Sequence, residues 1–231
     1  MSKISWDGDE IVLDIGCGNG TWLDRLQQLH PSVRTIGLDL SEGMLRSAAA
    51  RKGPRPSVVA DAQALPVRDE SVDVALTMHM LYHVPDVPMA LDEARRVLKR
   101  EGRVFVTTPG QNHLGELRSL LEDAMTEVRG EEVPRPIFEN TFSLGAAPRL
   151  LGEYFTTVEL EVTSNLLEIP VVEPVVDYLD SQQGPDLDAL LPSATSWSDV
   201  LESARRRAGA VIAERGVFTA KTEVGGLLCR R

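Results

Sequence analysis

Apolar positions in the first half of the chain come as short runs, each followed by a stretch with helical spacing. Ile11–Ile15 is rich in β-branched residues, the composition of a strand buried on both faces. From Thr21 to Leu29 the residues Trp22, Leu23, Leu26 and Leu29 recur on one side of a helix. Val33–Leu38 reads as a second strand ending at Asp39. Ser41 then caps a helix with Met44, Leu45 and Ala48 on its apolar face. Pro54 and Pro56 break the chain, Ser57–Ala60 forms a third strand, and Ser71–Met78 a fourth. Asp86–Lys99 turns Val87, Ala90, Leu91, Ala94, Val97 and Leu98 inward. Lys99-Arg100-Glu101-Gly102 closes that helix with cations and a glycine cap. Arg103–Thr108 is a fifth strand. This alternation over residues 11–108 predicts a parallel sheet with right-handed crossovers.

The second half breaks the rhythm. A helix begins near His113 and runs to about Val128, and Pro134–Phe142 is a proline-broken segment expected to fold over a pocket. Ser143–Tyr154 reads as a helix, Thr156–Val162 as a sixth strand, and Pro170–Gln182 and Ser196–Arg215 as helices flanking the polar linker Gly184–Ser196. Val217–Cys229 is a last strand or pair of strands, with Gly225-Gly226 as a bulge or bend. The roughly fifty residues between the sixth and last strands exceed a simple crossover and predict a helical cap. Met1–Asp9 is a short polar arm with almost no room for a covering helix.

Length and charge narrow the function. The 231 residues fit one domain with a subdomain. A net charge of -11 disfavours nucleic acid, which is held largely by Lys and Arg. Arg205-Arg206-Arg207 reads as a solvated helix face. Two cysteines make no disulfide framework, and no Cys/His spacing suggests a metal site. Cys17 reads as a small packing residue. With no signal peptide and no membrane-length apolar run, the expected location is cytoplasmic, as a monomer or homodimer.

The candidate chemistry centres on Glu10–Gly20. Gly16, Gly18 and Gly20 follow the first strand and precede a helix, where they permit a tight turn and expose backbone N–H groups. The spacing is G-x-G-x-G, unlike the dinucleotide fingerprint G-x-G-x-x-G. Asp14, just before the loop, would repel a pyrophosphate. It suits a ligand with a cationic amine and no phosphate, which describes S-adenosylmethionine. Asp39, about 20 residues beyond the loop, is placed to accept from both ribose hydroxyls.

Val-Leu-Asp-Ile-Gly-Cys-Gly-Asn-Gly resembles motif I of the class I S-adenosylmethionine-dependent methyltransferases, type 11, small-molecule branch. Asp61-Ala62-Gln63-Ala64-Leu65-Pro66 resembles that family's D-A-x-x-L-P pattern. The resemblance implies an α/β fold: a doubly wound, seven-stranded, mostly parallel, Rossmann-like sheet with the seventh strand antiparallel between the fifth and sixth. It also implies S-adenosyl-L-methionine as cofactor, held by Asp14, Gly16, Cys17, Gly18, Gly20, Asp39, Leu40, Asp61, Ala62 and His79. Asp61 would accept from the exocyclic amine of adenine, and the Ala62 N–H would donate to the ring. The expected division is a cofactor core at 1–109, a substrate-facing lid at 110–155, and the rest of the sheet with its cap at 156–231.

The cluster His79-Met80-Leu81-Tyr82-His83 follows the fourth strand, at the crevice side of such a sheet. His79, Tyr82, His83 and His113 are the candidate catalytic groups, with Asn112 and Glu116 available to orient His113. The expected activity is methyl transfer to a small organic molecule at O, N or C. Two other readings stand beside it. One is ribosomal-RNA methylation, because His113–Arg118 resembles a phrase in those enzymes. The other is a cofactor-binding cyclase or scaffold that transfers no methyl.

Overall fold

The computed structural model describes residues 6, 8–52, 55–134 and 142–231. Pro54 and residues 135–141 of the expected proline-broken cover lie outside the described residues. In chain order the elements are β1 Ile11–Ile15, α1 Thr21–Leu29, β2 Arg34–Asp39, α2 Glu42–Lys52, β3 Ser57–Val59, β4 Val72–Met78, α3 Val87–Val97 and β5 Leu98–Pro109. There follow α4 Gly115–Arg129, α5 Ala147–Tyr154, β6 Thr157–Ile169, α6 Glu173–Asp180, α7 Pro185–Asp188, α8 Trp197–Arg215 and β7 Phe218–Arg230.

The strands form one sheet in the order β3-β2-β1-β4-β5-β7-β6. The pairs from β3 through β5 are parallel. β7 enters antiparallel to β5, from Arg103 opposite Arg230 to Pro109 opposite Val224. This is the expected doubly wound, mostly parallel α/β fold. Period-two alternation gives each face its own core. Val104 and Val106 pack with Leu91 and Ala94 of α3 and Leu151 of α5. Phe105 turns the other way, toward Val74, Leu76 and Leu26 of α1.

The chain divides into two compact units, one of residues 1–110, 141–162 and 224–231, the other of 111–140 and 163–223. The second unit has its own core, in which Leu121 and Met125 of α4 join Val175 of α6 and Val200 and Ala204 of α8. A reciprocal capping box between Ser196 and Asp199 starts α8. Arg205 pairs with Glu173, and Arg206 and Arg207 both pair with Glu127, so the arginine run is neutralised by neighbouring carboxylates. Among the described residues no helix is long and apolar enough to cross a membrane.

Several local expectations change. α3 stops at Val97 without a glycine cap, because Leu98 takes extended angles and is fully buried opposite Val72. The Lys99 ammonium reaches both oxygens of Asp73 at 2.8 Å, so its charge serves a strand carboxylate and not the end of the helix. Gly225 and Gly226 form no bulge; both stay in regular register with β5. They are small for another reason. A Cβ on Gly225 would lie 2.1 Å from Leu144 Cδ1, and one on Gly226 would lie 3.0 Å from Phe105 Cζ. α5 begins at Ala147, later than Ser143, and β6 extends to Ile169. Trp22, Leu29 and Met44, expected inward, are exposed.

Candidate functional site in the first unit

β1 runs straight into the glycine loop. Gly16, Gly18 and Gly20 have φ of +72°, +53° and +74°, the region that favours glycine. A Cβ on Gly16 would also lie 2.8 Å from Met80 Cβ and Cγ, so close approach and backbone angle both demand glycine there. The loop does not hold its amides out for a ligand, as the sequence suggested. Gly16 N–H and Cys17 N–H donate to the Leu38 carbonyl at 2.7 and 2.9 Å, and Gly20 N–H donates to Cys17 O at 2.9 Å. Gly18 N–H donates to Asp39 Oδ2 at 2.7 Å. None of these four amides is left for a phosphate.

Asp39 Oδ1 accepts from Ser41 N–H at 2.8 Å. The carboxylate at the end of β2 is therefore pinned between the loop and the start of α2, and each oxygen keeps a second lone pair. Asp14 is different. It is completely buried, and neither carboxyl oxygen has a hydrogen-bond partner among the described residues. Burial, and then the nearby Asp39 charge, push its pKa up to about 8. The standing negative charge expected at Asp14 is thus absent at neutral pH, when the carboxyl holds its proton. Burial and the Asp14 and Asp39 charges also push the Cys17 thiol up to about 12, which fits a packing residue and not a nucleophile.

The opposite wall comes from the ends of β3 and β4. Asp61 and Ala62 follow β3. His79, the first residue past β4, has φ +55°, a rare conformation for a residue with a side chain. Two contacts hold it there: its N–H donates to Thr107 Oγ1 at 3.0 Å and to Thr107 O at 3.2 Å. A single 3₁₀ turn, Leu81–His83, follows.

These segments enclose a cavity of about 630 Å³, within the range of small-molecule sites. It brings together Gly16, Cys17, Gly18, Asp39, Leu40, Asp61, Ala62, His79 and His83. Asp14 and Gly20 do not line it, and Tyr82 packs its ring on His83, with centroids 4.5 Å apart, without lining the cavity. His113 belongs to the second unit and does not line it either. Its Nδ1 accepts from Glu223 N–H at 3.1 Å. Glu116, expected to orient His113, accepts from Lys221 N–H at 2.9 Å, and the Asn112 carbonyl accepts from Gly115 N–H. Burial is the main cause of a lowered His113 pKa.

Sequence reasoning missed Trp22, Met44, Met78, Met80 and Gln63, all of which line the cavity. Their signal was position: each falls at or just beyond the carboxyl end of a strand, or in the first turn of the helix that follows.

The family described as "Methyltransferase domain" matches residues 13–106, the stretch that supplies every wall of this cavity. Over those residues the chain matches a methyltransferase domain, on a fold that a solved methyltransferase shares. A malonyl-[acyl-carrier protein] O-methyltransferase of Methylococcus capsulatus is 27% identical over 92% of this chain and 76% of its own length. An uncharacterised 37.1 kDa protein of a Streptomyces fradiae transposon is 42% identical, but over 46% of this chain and 32% of its own length. The chain thus spans about a third of that longer relative. A solved S-adenosylmethionine-dependent methyltransferase from Archaeoglobus fulgidus shares the fold at TM-score 0.55 and 17% identity, over 97% of this chain and 87% of that one.

The cavity fits S-adenosylmethionine, the cofactor the motif implied, chemically. Fixed carboxylates answer hydroxyl and amine donors, methionine side chains answer apolar surface, and outside the lining the orphaned buried carboxyl of Asp14 is the group suited to a cation. The amides of Gly16, Cys17, Gly18 and Gly20, already committed, answer no phosphate.

Proposed function

We propose that this chain transfers a methyl group from S-adenosylmethionine to a small organic molecule. The observation that carries the reading is the joining, in one cavity, of the glycine loop, the pinned Asp39, Asp61-Ala62 and His79 beside an unpartnered buried carboxyl. Asp39 would accept from the ribose hydroxyls with its free lone pairs. Asp61 and Ala62 would read the adenine edge. Gly16, Cys17 and Gly18 shape the floor, with Leu40 flanking it. Asp14 would give up its proton to face the cationic end, and His79 would line the methionine portion.

When bound, the cofactor supplies an activated methyl on a sulfonium, with a neutral thioether as leaving group. The protein's work is alignment and exclusion of water. His79 and His83 are the two histidines that line the cavity. Either can take a proton from a hydroxyl or amine acceptor. A carboxylate acceptor needs no base. The Methylococcus capsulatus relative, an O-methyltransferase by name, supports an oxygen acceptor. Tyr82 and His113, which do not line the cavity, are left without a chemical role.

The test is turnover. Purified protein is incubated with S-adenosylmethionine and a panel of small carboxylic acids, phenols and amines, beginning with malonyl thioesters. Acceptor-dependent appearance of S-adenosylhomocysteine and a methylated product supports the reading. Binding without any demethylated cofactor across the panel supports the cyclase or scaffold reading instead.

A further inference from the structure

We propose that Gln63 fixes the Asp61 carboxylate as a rigid acceptor and thereby makes the cavity select a 6-amino purine over a 6-keto purine. The inference rests on the reading above that Asp61 faces the exocyclic amine. It concerns a residue to which that reading gives no part.

Gln63 is held at both ends. Its Oε1 accepts from Asp86 N–H at 3.0 Å, and Asp86 is itself the N-cap of α3, its Oδ1 accepting from Met89 N–H at 3.0 Å. That contact settles the orientation of the amide: the oxygen points to α3, and the NH₂ group points to Asp61. Nε2 then donates to Asp61 Oδ1 and to Oδ2, both at 3.0 Å. The Gln63 backbone N–H adds a third contact, to Oδ1 at 2.9 Å. These donors fix the carboxylate against rotation and hold the Asp61 pKa below its usual range, so the group stays an anion. Oδ1 carries two of the three contacts and Oδ2 one, leaving Oδ2 the more open to a ligand. Asp61, Ala62 and Gln63 all line the cavity.

An ionised carboxylate only accepts. Against an exocyclic amine it makes a charge-assisted hydrogen bond. Against a keto oxygen it places two acceptors face to face. A carboxylate free to turn would swing away and relieve that repulsion. One held by three contacts from two donor groups cannot, so the penalty against the wrong purine is retained. Gln63 is thus a positioning residue, acting through Asp61.

Isothermal titration of S-adenosylhomocysteine and S-inosyl-L-homocysteine into the parent protein, Gln63→Met, Gln63→Glu and Asp61→Asn reads the selectivity as a ratio of two affinities. A loss of stability in any variant moves both affinities together and leaves the ratio alone. The parent is expected to prefer the adenosyl ligand by about 100-fold, the scale of one charge-assisted contact set against a repulsion. Gln63→Met is expected to shrink the ratio by about tenfold, and Gln63→Glu by at least as much, on the same scale. Asp61→Asn, whose amide can donate to a keto group, should collapse it. A ratio unchanged in both Gln63 variants, with Asp61→Asn collapsing it, overturns the role of Gln63 and spares the adenine reading. A ratio unchanged in Asp61→Asn overturns the adenine reading itself, and the inference with it.

Discussion

The Gly18 N–H donates to Asp39 Oδ2 at 2.7 Å, so the acid at the end of β2 is anchored by the loop at the end of β1. The same oxygen that positions the loop would also meet the ribose. Asp39→Ala should therefore lose both, and weaken S-adenosylhomocysteine by about 10- to 100-fold, the scale of one or two hydrogen bonds to a charged group. Asp39→Asn, which can keep one acceptor, should fall in between. Equal affinity for all three proteins in a calorimetric titration would remove Asp39 from the site.

The glycine loop makes a graded prediction. Gly18 has φ +53° and open space around a would-be Cβ, so Gly18→Ala should cost about 1–2 kcal/mol for the left-handed angle alone. Gly16 has φ +72° and Met80 atoms at 2.8 Å. Gly16→Ala should add about 1–3 kcal/mol for overpacking. Urea titrations of the two variants check the order; Gly18→Ala proving the more damaging contradicts the packing.

Asp14 gives a pH dependence. Its pKa is about 8 folded against 3.8 for an unperturbed carboxyl, so between those values the folded chain holds a proton that the unfolded chain has released. Stability then falls as pH rises through that window, and the loss ends once the folded group also ionises. The melting temperature of Asp14→Asn relative to the parent should rise with pH from about 4 to about 8. A flat difference across that range means that Asp14 is not buried as described. Binding a cationic ligand should also release a proton near pH 7, visible as a binding heat that changes with the buffer's ionisation enthalpy.

Trp22 and Met44 sit 41% and 49% exposed on the cavity lip. Truncating either should change stability by no more than about 0.5 kcal/mol, as for exposed positions generally. Trp22→Phe should abolish any change in tryptophan fluorescence on adding S-adenosylhomocysteine; persistence of that change would assign it to Trp6 or Trp197.

These two residues also mark where the sequence was silent. Helical spacing placed Trp22 and Met44 on apolar faces, and spacing cannot tell a face turned to the core from one turned to a cavity. β1, β2 and β4 were legible because each buried run is short and rich in β-branched residues, and Asp39 and Asp61 stood out as acids at strand ends. The end of α3 was not legible, since Lys99 looks like a helix-terminal cation until its long-range partner Asp73 is known. Gly225-Gly226 read as a bulge because the need for space beside Leu144 and Phe105 is a tertiary fact. The charge of Asp14 was misread for the same reason: burial sets it. The partners of the Gly16, Cys17 and Gly18 amides, Leu38 and Asp39, lie more than twenty residues away, which made those amides look available.

Every role proposed for these residues requires the cavity to hold the cofactor. Calorimetric titration of S-adenosylhomocysteine into the parent protein and into Asp39→Ala measures that directly. One site per chain in the parent, with binding weakened by about 10- to 100-fold in Asp39→Ala, is the expected result. No binding by a parent protein that melts cooperatively, or binding unaffected by Asp39→Ala, would contradict it.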